Sequence, residues 1–324
     1  MNKKAIITVT QTHFSHISST QYQTTLNRII SFSGIGVHSN IDVSVTISPA
    51  PANTGIIFHR TDLSREVAIP AFVNNVVDTK LCTVIGSDEY GTKARVATIE
   101  HLMAALFGCG IDNALIQISG PEVPGMDGSA APFVFLIEGV GKRLLDTPRK
   151  AIKITKEISV RDGNRIARIT PAEEFSITCN IDFDHPLIGK QKVSYSASDD
   201  FKGELSRART FCLESEVLKM RAAGLALGGS LSNAIVFSNN KVLNEGGLRF
   251  ADEPARHKAL DLIGDLALIG APLIGHVETW CAGHSTNHQL TTKILDNKDS
   301  WNIVNAPEQE VRQDYPIAAA GGGA

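Results

Sequence analysis

The stretch at residues 250–270, FADEPARHKALDLIGDLALIG, decides the fold of the second half of the chain. Its apolar residues recur at helical spacing, with Pro254 near its start and Gly270 at its end, both typical helix boundary residues. We therefore predict one helix here. Residues four apart share a helix face, so His257, Asp261 and Asp265 form a polar stripe on an apolar segment.

The polar stripe has two explanations. It is either a solvent-exposed face that carries a His–Asp pair, or a wall at which His257 and Asp261 hold one metal ion, since i and i+4 side chains converge on a helix. The stripe alone leaves both open, and a third ligand elsewhere in the chain would favour the metal.

A second apolar helix is predicted at residues 98–110, TIEHLMAALFGCG, with Thr98 as its N-cap. Glu100 and His101 then stand in its first turn, where the glutamate complements the helix dipole and the histidine is an interior residue. The alternative is that His101 is the third metal ligand. A His/His/Asp set with one open position is typical of catalytic zinc, and Glu100 beside it can accept a proton during amide or ester hydrolysis.

Three other segments carry residues that could act at a site. Thr210, in SRARTF, is either a strand-end residue or a hydrogen-bond donor to a developing oxyanion. His284, in CAGHSTNH, is predicted in a loop after a strand, as a surface histidine or a general acid. Leu231 and Val236 follow a Gly-Gly pair and belong either to a turn before a core strand or to a chain-binding groove.

Composition excludes several classes of protein. A chain of 324 residues with 43% hydrophobic residues predicts a soluble globular protein, and its length favours two domains. The net charge of -3 argues against a nucleic-acid partner. Five cysteines without a CxxC pair predict reduced, buried thiols in a cytoplasmic protein. No apolar run reaches the roughly 18 residues of a membrane span, and the N-terminus lacks a signal-peptide core.

The order of predicted elements indicates an α+β fold with two similar domains. We expect a flexible N-terminal extension at residues 1–24, a first domain at 25–145, a charged linker near 142–150, a second domain at 150–305 and a flexible tail at 306–324. Strands are predicted at 41–49, 113–120, 151–160, 165–171 and 175–183, and further helices at 131–141 and 212–224.

Six motifs from about residue 25 to 300 resemble those of the UDP-3-O-acyl-N-acetylglucosamine deacetylases. They are TIEHLMAAL, EVPGMDGSAAPF, SRARTF, GLALGGS, VLNEGGLRFADEPARHKALDLIGDL and GHSTNH. The resemblance implies removal of acetate from the 2-amino group of a UDP-linked, 3-O-acylated glucosamine, the committed step of lipid A biosynthesis in Gram-negative bacteria. It also implies two α+β domains whose helices face each other, with the metal at the seam between them.

The resemblance assigns a role to each site residue. It implies one Zn²⁺ per chain, with Fe²⁺ as the other candidate metal, and a monomer without a membrane span that contacts membrane surfaces transiently. The implied metal ligands are His101, His257 and Asp261, and the implied catalytic residues are Glu100 (base), Thr210 and Lys258 (oxyanion), His284 (acid) and Asp265 (orienting His284). The implied substrate-binding residues are Phe211, Val217, Leu231, Val236, Cys82 and His38, with an acyl-chain passage carried by the insert of the second domain.

Three positions depart from the family pattern. Asn40 stands where glycine is usual, and Ser232 and Gly246 stand where acidic residues are common. They bear on substrate contacts and acyl-chain length, and leave the metal chemistry intact. Two competing hypotheses are a non-catalytic nucleotide-sugar or lipid binder on the same fold, and a zinc amidohydrolase that acts on a small acylated amine.

Overall fold

The computed structural model describes residues 22–65, 67–88 and 94–306. The first half contains β1 (Tyr22–Leu26), β2 (Ile30–Ile35), β3 (Asp42–Pro49), β4 (Ile56–Arg60), β5 (Val67–Pro70), β6 (Val76–Asp78), β7 (Val84–Ser87), β8 (Ala94–Val96), α1 (Glu100–Gly108), β9 (Ala114–Ile118) and α2 (Ala131–Val140). The predicted α+β class is confirmed.

The second half begins with the strands β10 (Lys142–Pro148), β11 (Lys150–Ile154), β12 (Ile158–Asp162), β13 (Arg165–Thr170), β14 (Phe175–Phe183) and β15 (Gly189–Ser196). It continues with α3 (Phe201–Glu204), β16 (Phe211–Leu213), α4 (Glu214–Ala222), β17 (Ile235–Phe237), α5 (Glu253–Leu266), β18 (Leu273–Trp280), α6 (His284–Asp296) and β19 (Trp301–Asn305). Short 3-10 turns stand at Val73–Asn75, Ala267–Ile269 and Lys298–Ser300.

Each half is built on one large sheet. In the first half the strand order is β2-β3-β9-β4-β5, and in the second half β18 lies among β11, β13 and β14. Strand β3 shows why one face is buried, since Val43, Val45 and Ile47 alternate with more exposed residues. The helices α1, α5 and α6 pack on the buried side and share one hydrophobic core with both sheets.

The two halves meet where α1 packs against α5. Gly264 permits the close approach, because a Cβ atom there would lie 2.1 Å from the Glu100 carbonyl oxygen. As predicted, α5 carries Pro254 in its first turn, and Gly270 ends the 3-10 turn after it with φ of 79°. The crossing brings the first turn of α1 beside the polar stripe of α5.

Several predictions of local structure are wrong. The charged residues near 142–150, predicted as a linker, are mostly strand: Lys142–Pro148 is β10, which pairs with β1 and exposes its polar side chains. The segment 151–160 is divided between β11 and β12. Thr98 is not the N-cap of α1; its φ is 56° and its hydroxyl donates to Glu122, while Ile99 holds the cap position.

Other predictions concern the cysteines and the chain ends. All five cysteines are free thiols, although only Cys82 and Cys179 are fully buried, so the prediction of burial is wrong for the other three. Residues 1–21 and 307–324 of the predicted flexible ends lie outside the described residues, whereas Tyr22–Thr24 belong to β1 and Ala306 is buried. Within the described ranges, no helix has the length and apolarity needed to cross a bilayer.

Candidate metal centre and its surroundings

The predicted metal ligands converge at the crossing of α1 and α5. The ligand atoms of His101, His257 and Asp261 all lie within 4.8 Å of one another, and all three residues are buried. Asp261 Oδ1 is 3.6 Å from His101 Nε2 and 3.3 Å from His257 Nε2. These residues come from two helices that are distant in sequence, so the fold creates the cluster.

The carboxylate of Asp261 tests whether a cation fits this cluster. Its Oδ1 atom is buried and has no hydrogen-bond partner among the described residues. A buried oxygen left in this way costs about 1–3 kcal/mol. A metal ion held between the two imidazoles would satisfy it, and a two-nitrogen, one-carboxylate set is a known arrangement of catalytic zinc. The residues present therefore fit a metal ion.

His257 is held in the form that binds metals. Its Nδ1 atom donates to the carbonyl oxygen of Ala208 at 3.1 Å, which leaves the lone pair of Nε2 directed at the cluster. Burial lowers the pKa of His257 to about 3, so its imidazole is neutral at physiological pH. The sequence did not reveal Ala208 as a partner, because a backbone carbonyl carries no residue-type signal.

Asp261 is ionised despite its burial. Its second oxygen, Oδ2, accepts from Lys258 Nζ at 2.7 Å. Burial would raise the pKa of Asp261, but the neighbouring His257 and Lys258 hold it well below its usual range. Burial would likewise lower the pKa of Lys258, and the Asp261 carboxylate raises it instead. Lys258 therefore stays charged beside the cluster, as its predicted position required.

His284 and Glu100 face each other next to the ligands, with Nε2 and Oε1 3.8 Å apart. His284 Nδ1 donates to Asp265 Oδ2 at 2.9 Å. Burial would lower the pKa of His284, but the negative charges of Asp265 and Glu100 raise it to about 9. Burial raises the pKa of Glu100. The site thus pairs a carboxylate with a protonated histidine, and both residues are buried.

The predicted loop position of His284 is wrong, since His284 is the first residue of α6 and Gly283 is its N-cap. The helix continues to Asp296 because Leu290 and Ile294 lie one turn apart on a buried face. The small and polar residues at the start of α6 obscure the helical spacing of its apolar residues in the sequence. The first turn places both His284 and Asn287 against the end of α5.

Sequence reasoning missed two partners of Asp265. Asn287 Nδ2 donates to Asp265 Oδ2 at 2.9 Å, and the Thr83 hydroxyl donates to Asp265 Oδ1 at 2.5 Å. Asn287 stands three residues after His284, so the i, i+3 spacing could have indicated it. Thr83 is 182 residues from Asp265 in the chain, and no local pattern connects them.

Thr210 lies in the segment that carries the Ala208 carbonyl. Its N–H donates to Gly128 O at 2.7 Å, and its own carbonyl accepts from Ile235 N at 2.8 Å. Arg209 anchors the same segment to α5 through Glu253, with Nε and Oε1 2.8 Å apart. These contacts fix the backbone of Thr210 near the metal cluster. The Thr210 side chain is half-buried.

Phe211 lies against the cluster, whereas the predicted passage residues lie further along the insert. Its ring centroid is 6.4 Å from that of His257 and 5.9 Å from Lys258 Nζ. Val217 is half-buried on α4 and Val236 is half-buried on β17, which pairs with β16. Leu231 is 50% exposed. The insert therefore presents apolar side chains to solvent, beginning from Phe211.

His38 and Cys82 border the site from the first half of the chain. His38 Nδ1 accepts from Ala226 N at 3.2 Å, which joins its loop to the insert, and burial lowers its pKa. The Glu122 carboxylate accepts the N–H groups of His38 and Ser39, both at 2.8 Å. Burial raises the pKa of Cys82 to about 12, so this thiol stays protonated.

The three departures from the family pattern lie in loops. Asn40 has φ of 57°, a left-handed conformation that explains why glycine is common there and why asparagine is tolerated. Gly246 has φ of 83°, which a residue with a side chain would adopt only with strain. Ser232 is exposed and shares a hydrogen bond with Ser230. None of the three touches the metal ligands through these contacts.

Comparison with known proteins identifies the family of the chain. Residues 23–296 match the model of a protein family described as UDP-3-O-acyl N-acetylglycosamine deacetylase. The chain is 49% identical over 294 residues to a UDP-3-O-acyl-N-acetylglucosamine deacetylase of Myxococcus xanthus, covering 90% of this chain and 92% of that one. It is 50% identical over 288 residues to the protein of the same name from Syntrophotalea carbinolica, covering 89% and 92%. For the protein of the same name from Actinobacillus succinogenes the identity is 43% over 301 residues, covering 92% and 98%.

Proposed function

The chain belongs to the UDP-3-O-acyl N-acetylglycosamine deacetylase family, and on that premise we propose that it hydrolyses the 2-N-acetyl group of UDP-3-O-(3-hydroxyacyl)-N-acetylglucosamine. The products are acetate and UDP-3-O-(3-hydroxyacyl)-glucosamine. The reaction is the committed step of lipid A biosynthesis, and the enzyme works in the cytoplasm as a monomer that contacts membrane surfaces transiently.

The observation that carries this proposal is the unpartnered Oδ1 atom of Asp261 between two histidine nitrogens. His101, His257 and Asp261 would hold one Zn²⁺, with Fe²⁺ as the second candidate. Bound there, the metal supplies a Lewis acid that polarises the amide carbonyl and makes a water molecule easier to deprotonate. A non-catalytic binding protein would not require a glutamate and a protonated histidine beside this cluster.

Glu100 is the proposed general base. It adjoins the ligand His101 in the first turn of α1, and its buried carboxylate has a raised pKa, so it accepts a proton more readily than a solvated glutamate. It takes the proton from the water that attacks the acetyl carbonyl. Thr83 N–H donates to its Oε2 atom at 3.1 Å and thereby fixes the orientation of the carboxylate.

His284 is the proposed general acid. With a pKa raised to about 9 it carries a proton at neutral pH, and Asp265 orients it by accepting from Nδ1. Its Nε2 proton is then free to pass to the nitrogen of the sugar amine as the C–N bond breaks. Before that step, the positive charge of His284 stabilises the negative tetrahedral intermediate.

Lys258 and Thr210 are the proposed oxyanion partners. Lys258 is charged and stands beside Asp261, so its positive charge lies where the carbonyl oxygen gains negative charge. Thr210 adds a hydroxyl donor from a segment that the Ile235 and Gly128 backbone groups hold in place. Both are partly shielded from solvent beside the buried cluster, where the weakened competition from water strengthens their effect.

The remaining residues would bind substrate. Phe211 closes the site beside His257, and the passage lined by Val217, Leu231 and Val236 would take the acyl chain, with His38 and Cys82 at its inner end. We place the boundary of the two domains, 25–145 and 150–305, so that the metal lies at the seam between α1 and α5. The partner is thus a small molecule with a UDP head and an apolar chain.

Acetate release from the UDP-acyl-sugar tests the proposal. The purified protein is assayed as isolated, after chelation and after zinc add-back, alongside His257→Ala. The matched control is His276→Ala, since His276 bonds to Ser176 on β14 and has no part in the cluster. We expect activity that returns with zinc, that persists in the control and that is lost in His257→Ala. Zinc binding without acetate release would overturn the substrate assignment while leaving the metal site intact.

A further inference from the structure

Thr83 is hydrogen-bonded to Glu100, the proposed general base, and to Asp265, the residue that orients the proposed general acid His284. Its N–H donates to Glu100 Oε2 at 3.1 Å, and its hydroxyl donates to Asp265 Oδ1 at 2.5 Å. Its carbonyl oxygen accepts from Ile99 N at 3.5 Å, at the N-cap of α1. Thr83 is 2% exposed, so it is shut off from solvent. One residue therefore bridges the start of α1 and the end of α5.

These contacts close a ring of four residues. Thr83 holds Glu100 on one side and Asp265 on the other, Asp265 holds His284 Nδ1 at 2.9 Å, and His284 Nε2 faces Glu100 Oε1 at 3.8 Å. Three links of the ring are hydrogen bonds. The fourth is the 3.8 Å separation of His284 Nε2 and Glu100 Oε1, the two atoms with proposed roles in proton transfer, and the other three links fix that separation.

The two bonds of Thr83 have separate chemical origins. The bond to Glu100 comes from the backbone, and every residue except proline would make it. The bond to Asp265 comes from the side chain, and a residue without a hydroxyl loses it. Oδ2 of Asp265 accepts from His284 and Asn287, so the hydroxyl is what holds Oδ1 and stops the carboxylate from turning about its axis.

We propose that Thr83 is a positioning residue that sets the separation of Glu100 and His284 by holding Glu100 through its N–H and Asp265 through its hydroxyl. The inference rests on the proposed function, in which these two side chains move protons. Thr83 does not touch the reacting atoms. Without its hydroxyl, Asp265 turns and His284 follows, so the proton donor loses its alignment while the substrate still binds.

Kinetics of Thr83 variants test the proposal first. Thr83→Val keeps the shape and the backbone N–H, and we expect it to lower kcat about 10- to 100-fold with KM within about twofold. Thr83→Ser restores the hydroxyl and should keep kcat within about threefold of the wild type. The matched control is Thr24→Val, because Thr24 is a buried threonine whose hydroxyl bonds to the Gly110 carbonyl oxygen and to the Asp112 carboxylate, away from the site.

A double-mutant cycle separates positioning from general damage. If Thr83 acts through Asp265, Thr83→Val should change kcat less than about twofold when placed on Asp265→Ala. Metal content and thermal unfolding are measured for every variant. Should Thr83→Val not fold, Thr83→Ala removes the same hydroxyl without added bulk. Wild-type kcat in the folded Val or Ala variant, an equal loss in Thr83→Ser, or an undiminished effect on Asp265→Ala would each overturn the proposal.

A spectroscopic readout is independent of turnover. The Nδ1 proton of His284, shared with Asp265, gives a distinct resonance in protein labelled with ¹⁵N-histidine. We expect Thr83→Val to shift this resonance and Thr24→Val to leave it in place. An inactive wild-type protein would contradict the proposed function alone, and the resonance would then decide on Thr83: a shift supports its positioning role, and an unchanged resonance overturns it.

Discussion

His284 Nδ1 lies 2.9 Å from Asp265 Oδ2, so the first residue of α6 is hydrogen-bonded to the last turn of α5. This bond connects the polar stripe of α5 to a histidine that is not part of it. The residues of the stripe therefore have two separate roles. His257 and Asp261 face the candidate metal position, and Asp265 faces the proposed proton donor. A solvent-exposed helix face would need neither partner.

The first prediction concerns the titration of His284. In metal-free protein, NMR of the histidine ring should give a pKa of about 9, because the charges of Asp265 and Glu100 outweigh burial. Asp265→Asn removes the charge that raises this pKa most and should bring the pKa below 9 by at least about one unit. A value near the ordinary 6.5 in the wild-type protein would contradict the charge assignment.

The same shift predicts how stability depends on pH. The folded-state pKa of His284 lies above its ordinary value of 6.5, so its contribution to stability is fully present below pH 6.5 and is lost as the pH rises through about 9. Urea unfolding of the metal-free protein should show this loss between these two values. In Asp265→Ala the loss should be smaller, and an equal loss in both proteins would contradict the prediction.

The crossing of α1 and α5 gives a prediction for glycine substitutions. In Gly264→Ala the new Cβ would lie 2.1 Å from the Glu100 carbonyl oxygen, so the helices must separate, at a cost of about 1–3 kcal/mol in the free energy of unfolding. Zinc affinity should fall as well, since His101 moves away from Asp261.

A matched glycine provides the control. Gly139 is exposed on α2, and a Cβ atom there would meet nothing within 4 Å. Gly139→Ala should therefore stabilise the protein by about 0.5–1 kcal/mol through the helix preference of alanine. Calorimetric unfolding and zinc titration of both variants decide the matter; a Gly264→Ala protein as stable and as tightly zinc-binding as the wild type would show that the crossing is not tight.

The site could be predicted from sequence where its signals are local. On α5, Pro254 and Gly270 mark the ends and four-residue spacing places His257 beside Asp261, so the helix and its stripe follow from nearby residues. Strand β3 followed from alternation for the same reason. The residue types left the meeting of His101 with this stripe as one of two alternatives, and only the family resemblance favoured it, because no local pattern states which helices pack together.

The predictions that were wrong or missing also have physical causes. Thr83 bonds to Asp265 across 182 residues, which only the assembled fold can show. The segment Lys142–Pro148 is charged because β10 belongs to a two-stranded sheet with an exposed face, and a charged, Pro-containing segment also predicts a linker. Thr98 has the right type for an N-cap, but Glu122 takes its hydroxyl, so a tertiary contact overrode the local preference.

Metal removal should change stability as well as activity. A ligand that binds only the folded state stabilises it by about 2.7 kcal/mol when present at 100 times its dissociation constant. Zinc added to the metal-free protein at that excess should therefore raise the midpoint of thermal unfolding. Asp261→Ala lacks one ligand and should show no such rise, whereas Asp112→Ala, which removes a carboxylate that pairs with Arg149 outside the cluster, should respond like the wild type.

The last prediction concerns the acyl-chain passage. Leu231 is 50% exposed in the insert, and a bound acyl chain would cover its side chain. Leu231→Ser should therefore weaken binding of a long-chain substrate by roughly 1 kcal/mol, or about fivefold in kcat/KM, and leave a short-chain analogue unaffected. Ile303→Ser is the control, because Ile303 is 65% exposed on β19, outside the insert. Equal losses on both substrates, or equal losses in both variants, would place the acyl chain elsewhere than beside Leu231.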